Sequence, residues 1–195
     1  YLSTHPILNV TVKGDMILRA VFEKTTDCVT PDIFINEICS SNNSNGGTSD
    51  DYGNYPDWFE VYNASSDTIN LAGMYLTDKP AKQTKYMIPY GYEETKIAPK
   101  SRMVFWADGM PFLGPSHIGF KLENVDNASI GLNMDCGDDI VSVDYVNYME
   151  MVSNKSYGHD ADGSGNWIIF GDCENGKVYL PTPGKANSSN VCNSN

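Results

Sequence analysis

Short runs rich in β-branched and aromatic residues recur from residue 33 onward, each bounded by Gly, Pro, Asn, Asp or Ser. They fall at 33–38, 58–62, 68–71, 74–77, 103–107, 118–122, 129–132, 140–146 and 167–170. At least eight short strands with no amphipathic helix confine the chain to the all-β class, an antiparallel sandwich or barrel. Alternation is clearest where Ile140, Ser142, Asp144 and Val146 oppose Val141, Val143 and Tyr145, and where Trp58, Glu60 and Tyr62 oppose Phe59, Val61 and Asn63. Such period-two runs predict half-buried strands. Residues 40–56, rich in Ser, Asn, Gly and Asp, are expected to form a long surface loop.

Two further alternating runs, 7–12 and 16–22, flank Lys13, Gly14 and Asp15, which supply hairpin-turn chemistry. A β-hairpin separate from the sandwich is expected there, because a lone hairpin is marginally stable. A polar stretch ending in Pro31-Asp32 follows. The expected division is therefore a hairpin remnant plus linker over 1–30 and a sandwich with a C-terminal tail over 31–195.

The 195 residues suffice for one large domain. Thirteen Lys and Arg against 25 Asp and Glu leave a net charge of −12, the wrong mean field for nucleic acid or an anionic membrane. No stretch approaches the roughly 18 consecutive apolar residues of a membrane span. The chain opens on Tyr1-Leu2-Ser3 without an initiator Met or a signal peptide, so it reads as a piece of a longer protein. Abundant Asn, Ser and Thr with few Lys suit a secreted chain. Cys28, Cys39, Cys136, Cys173 and Cys192 are too widely spaced for a zinc site, so zinc is not expected. Two disulfides in any of several pairings, or free buried thiols, both fit.

Seven phrases stand in order: Ile35-Asn36-Glu37-Ile38; Asp57-Trp58-Phe59-Glu60-Val61-Tyr62-Asn63; Leu71-Ala72-Gly73-Met74-Tyr75-Leu76-Thr77-Asp78; Val104-Phe105-Trp106-Ala107-Asp108-Gly109; Ser156-Tyr157-Gly158; Asp162-Gly163-Ser164-Gly165-Asn166-Trp167; and Pro181-Thr182-Pro183-Gly184-Lys185-Ala186-Asn187. Together they resemble the lamin-tail domain in its bacterial form, over about residues 33–187. The resemblance implies an immunoglobulin-like β-sandwich belonging to a secreted or cell-surface multidomain protein. The opening hairpin resembles the end of the small β-repeats that precede such tails. Two departures stand out: a longer 40–56 loop, and Ala161 where the family usually has Pro. Within the phrases, Asn63 is expected to end its strand in an Asx turn, and Pro181, Pro183 and Gly184 to stop the last strand and peel the tail away.

Catalytic chemistry finds little footing. His5, His117 and His159 are the three histidines, and no Gly-x-Ser-x-Gly phrase accompanies them. His117 reads as a loop residue rather than a general base. Asp160, Asp162, Ser164 and Asn166 match the opening positions of a calcium loop, but the twelfth position falls on Gly171 rather than Glu. Glu37, Asp57 and Glu60 form a second candidate metal cluster if strand pairing gathers them. Tyr90 and Tyr92, beside Pro89 and Gly91, are candidate binding residues that offer flat faces to a sugar or peptide. The expectation is a non-catalytic extracellular or cell-surface module without a required cofactor. It would contact a protein or glycan, or other domains of its own chain, and neither nucleic acid nor the membrane interior. The alternative is a glycan-binding sandwich, calcium-dependent or not.

Overall fold

The computed structural model describes Gly14, residues 28–174 and residues 177–191. Apart from Gly14, the hairpin expected over 7–22 lies outside the described residues. Fourteen strands follow in chain order: β1 (Ile33–Cys39), β2 (Trp58–Asn63), β3 (Ile69–Asn70), β4 (Tyr75–Thr77), β5 (Tyr86–Met87), β6 (Lys96–Ile97), β7 (Arg102–Trp106), β8 (Ala128–Asp135), β9 (Ile140–Tyr148), β10 (Ser156–Ala161), β11 (Ser164–Phe170), β12 (Cys173–Glu174), β13 (Lys177–Tyr179) and β14 (Ser189–Val191). The described residues contain no α-helix, only 3₁₀ turns at Glu93–Thr95 and Pro111–Leu113. No helix among them is long and apolar enough to cross a membrane.

An antiparallel sheet in the order β11-β10-β1-β2-β7 faces a second in the order β5-β4-β8-β9, with small sheets β3-β6 and β12-β13-β14 beside them. The inward residues of the first sheet, among them Ile33, Ile35, Ile38, Phe59, Val61 and Phe105, share one core with Leu76, Ile130, Leu132 and Val146 of the second. Phe59 and Phe105 are cross-strand partners and stack with ring centroids 5.3 Å apart. Truncating a fully buried ring such as Phe59 costs about 3–5 kcal/mol. The molecule is an immunoglobulin-like β-sandwich, as the family resemblance implies; the strand pattern by itself predicts an antiparallel sandwich or barrel.

Three local expectations need correction, and β10 is a strand that alternation does not show. Every residue of β2 is buried, not only one face, because Trp58 joins Cys39 and Trp106 in a second apolar cluster and Glu60 is covered by a polar network. Residues 118–122 form no strand, although Ile118, Phe120 and Leu122 are buried; only His117 bridges to Trp106. Strand β10 carries Ser, Gly, His and Asp, and its place in the sheet comes from pairing with β1 and β11 rather than from apolar alternation. Residues 181–187 do not peel away. Their hydrogen bonds run to Glu37, Glu60, Asp162 and His159, so they form a strap across the first sheet.

Cys28 is joined to Cys136 across 108 residues, tying the segment before β1 to the β8–β9 turn. Cys173 is also disulfide-bonded, while Cys39 is a free, buried thiol. Trp58 and Trp106 are buried, and Trp167 is half-buried against Tyr157 and His159.

Candidate functional site

Two polar constructions stand apart from the apolar core. The first lies beneath the strap. A bulge in β1 between Ile35 and Glu37 lets both Asn36 and Glu37 reach the same polar network. Glu37 pairs with Glu60 across the strands, and both carboxyls are fully buried. Glu37 accepts from Ser156 Oγ (2.5 Å) and the Thr182 N–H (3.1 Å). Glu60 accepts from Asn36 Nδ2 (2.8 Å) and the Gly184 N–H (2.7 Å), with Arg102 Nε 3.7 Å away. Burial pushes Glu37 up to about 7, against the hydrogen bonds from Ser156 and Thr182. Burial likewise pushes Glu60 up to about 8, the Asn36 bond opposing it and the neighbouring Glu37 charge adding to it.

The second is built by the 40–56 insertion. Asn42 pins the loop's base, donating from Nδ2 to the carbonyls of Thr48 and Pro56 and accepting the Thr48 N–H. Asn154, beyond β9, clamps Asn43 and Asn45 from the far side. Between this loop and the 107–121 segment opens a cavity of about 510 Å³, whose walls include Asn42, Asp50, Asp57, Asp108, Met110 and Lys121. Asp50 Oδ1 accepts the N–H groups of Tyr52 (2.9 Å) and Asn54 (2.8 Å), and Asp108 Oδ1 accepts the Met110 N–H (2.8 Å). His117 Nδ1 lies 2.6 Å from Asp108 Oδ2. Asp50, Asp108 and His117 bring one potential ligand atom each to within 4.8 Å of one another, the one such group among the described residues.

The family model described as Lamin Tail Domain matches residues 28–148. The chain belongs to the lamin tail domain family. No curated protein matches it, and no solved structure does. Lamin tail domains are non-enzymatic immunoglobulin-like domains. In this lamin tail domain β10, β11 and the strap lie beyond the matched residues, yet they complete the first sheet and cover its carboxylates.

The structure brings Glu37 and Glu60 together but sends Asp57 to the cavity, where its carboxylate accepts the Asn42 N–H (2.9 Å) and burial raises its pKa. Asp162 is paired with Arg102 and accepts from Asn36 Nδ2 (3.0 Å). Asp160, by contrast, accepts the Asn166 N–H (3.0 Å) across the β10–β11 hairpin, and Ser164 is exposed at its turn. The two acids of the calcium-like phrase thus serve different partners. Tyr90 and Tyr92 are 42% and 45% exposed and line no wall of the cavity. Tyr90 lies over Gly73, where φ is +87° and a Cβ would collide with its hydroxyl and ring.

Sequence reasoning missed Asp50 and Asp108 and dismissed His117. The usable signals were the Asn- and Asp-rich insertion and the Asp108-Gly109 turn nine residues before His117. Neither reveals that the two loops meet.

Proposed function

We propose that this lamin tail domain is a non-catalytic module of a larger bacterial cell-surface or secreted protein, and that it holds a partner in the cleft between the insertion and the 107–121 segment. The observation that carries the reading is the cleft itself. Its polar walls are held by hydrogen bonds within the loops, and the exposed side chains of Tyr52, Tyr55, Met110 and Phe112 stand on the same two loops. Polar walls beside exposed aromatic and thioether groups suit a protein or glycan surface. The Cys28–Cys136 disulfide supports an oxidising, extracellular setting. Nucleic acid is not among the partners proposed, given the charge of −12.

A non-catalytic role is also supported by the fate of the acids. A paired-carboxylate glycosidase needs two carboxyls facing substrate across a cleft. Glu37 and Glu60 are instead 0% exposed and bonded to the chain's own strap. The exposed tyrosines favour a glycan as a second reading of the partner, with Tyr90 and Tyr92 as additional contacts.

The test is a panel of polysaccharides and surface proteins offered to the purified chain, with retention and released reducing sugar both measured. Retention without release, weakened by Tyr55→Ala, is the expected result. Release abolished by Glu37→Gln or Glu60→Gln would overturn the non-catalytic reading.

A further inference from the structure

We propose that Asp50, Asp108 and His117 form a binding site for a divalent first-row transition cation, Zn²⁺ foremost. Three features carry it. The ligand atoms converge within 4.8 Å although they come from two loops far apart in the chain. Both carboxylates use Oδ1 to hold their own loops, through Tyr52, Asn54 and Met110. Asp50 Oδ2 has only Asn54 Nδ2 at 3.4 Å and remains for the cation, whereas Asp108 Oδ2 is taken by His117 Nδ1 at 2.6 Å, so Asp50 is the carboxylate ligand and Asp108 orients the imidazole.

The third feature is His117. Its side chain is 2% exposed, Nδ1 lies against Asp108, and Nε2 is buried without any partner. A buried imidazole in a purely structural role is normally satisfied at its polar atoms. One held at a carboxylate by a single nitrogen has the arrangement of a metal-bound histidine. The residue stands on a firm base as well: its backbone bridges to Trp106, and its carbonyl accepts from Tyr86 Oη (3.2 Å).

The donor set selects the cation. One imidazole nitrogen and one carboxylate, with Asp108 behind the imidazole, are too few and too mixed for Ca²⁺, which takes six to eight oxygens, whereas imidazole with carboxylate suits Zn²⁺. The one ammonium of the cavity wall, Lys121, has its charge matched by Asp57. Asp50 and Asp108 both line the cavity, so the cation's remaining positions face it. There the cation would offer a coordination position to an oxygen of the partner. That last role rests on the function proposed above; the cation site itself does not.

The experiment strips the intact chain of metal with a chelator and titrates it calorimetrically with Zn²⁺, then with Ca²⁺. Co²⁺ absorption provides a spectroscopic signature. The expected result is one Zn²⁺ per chain and no Ca²⁺ heat. Zn²⁺ affinity should fall by at least roughly ten- to a hundredfold in Asp50→Asn and in His117→Gln, the loss typical of removing an outer-shell partner alone. Asp50→Asn keeps an acceptor oxygen for Tyr52 and Asn54, so it preserves the loop and decides the matter if His117→Gln fails to fold. Absence of 1:1 binding, or binding untouched by Asp50→Asn, overturns the site. Partner retention that persists in EDTA, with no Zn²⁺ heat, overturns the cation and leaves the cleft standing. Zn²⁺ heat without any partner retention does the reverse.

Discussion

Glu37 is held by Ser156 and Thr182, and the geometry around Thr182 bears on its protonation. Thr182 Oγ1 lies 3.0 Å from both Glu37 Oε2 and Asn187 Oδ1. Asn187 Nδ2 donates to the His159 carbonyl, which fixes Oδ1 as an acceptor. One hydroxyl proton cannot serve two acceptors. A protonated Glu37 resolves the conflict by donating to Thr182, which donates onward to Asn187. This agrees with burial raising Glu37 to about 7. Because the folded chain holds this proton more tightly than the unfolded chain, the stabilisation is full below pH about 4.5 and is lost as pH rises through 7. Glu60, raised to about 8, extends the loss upward. His159, whose pKa burial lowers, opposes the trend only on the acid side. Denaturant unfolding should therefore show lower stability at pH 8.5 than at pH 5.5, by about 2 kcal/mol from Glu37. Glu37→Gln, which mimics the protonated acid, should flatten that slope at a cost of about 1 kcal/mol or less. An unchanged slope in Glu37→Gln would assign the proton elsewhere.

At the level of elements, the strap is the piece that turns an open sheet face into a closed one. Its backbone amides at Thr182 and Gly184 end on the two glutamates, and Asn187 anchors it through the His159 carbonyl and Thr182 Oγ1. Pro181 and Pro183 restrict the strap's backbone, and Gly184 at φ +76° supplies its turn. Without the strap the carboxyls would face water, and their raised pKa values would relax. Asn187→Ala removes both side-chain anchors and should destabilise the fold by about 1–3 kcal/mol. The informative readout is amide hydrogen exchange, in which Thr182 and Gly184 should lose protection well before the β2 amides. Equal protection in the variant and the parent would show that the strap is held by its backbone alone.

For the whole molecule, one covalent tie spans most of the chain. Cys28 and Cys136 are separated by 108 residues, and their bond joins the segment before the first strand to the far end of the second sheet. Chain-entropy reasoning assigns a loop of that length about 4.7 kcal/mol. Replacing both cysteines by serine should lower unfolding stability by about 3–5 kcal/mol while leaving the Phe59–Phe105 core folded, as circular dichroism and denaturant unfolding would report. A loss below about 1 kcal/mol would indicate that the apolar core alone holds that end.

Period-two alternation, turn chemistry and ordered family phrases determined by themselves that the chain is an immunoglobulin-like sandwich. They also determined local details such as the Asx turn at Asn63, whose Oδ1 accepts the Ser65 N–H at 2.9 Å. These features are legible because each depends on neighbours within a few residues. The tertiary structure alone decided what covers each face and which polar groups meet. Alternation placed Trp58, Glu60 and Tyr62 on one side of β2, but only the strap, more than a hundred residues later, buries Glu60 there. Asp50, Asp108 and His117 sit in loops whose sequences disclose turns and nothing of their convergence. Burial and long-range hydrogen bonding depend on distant segments, so the proposed site emerged only when the insertion and the 107–121 segment closed on one another.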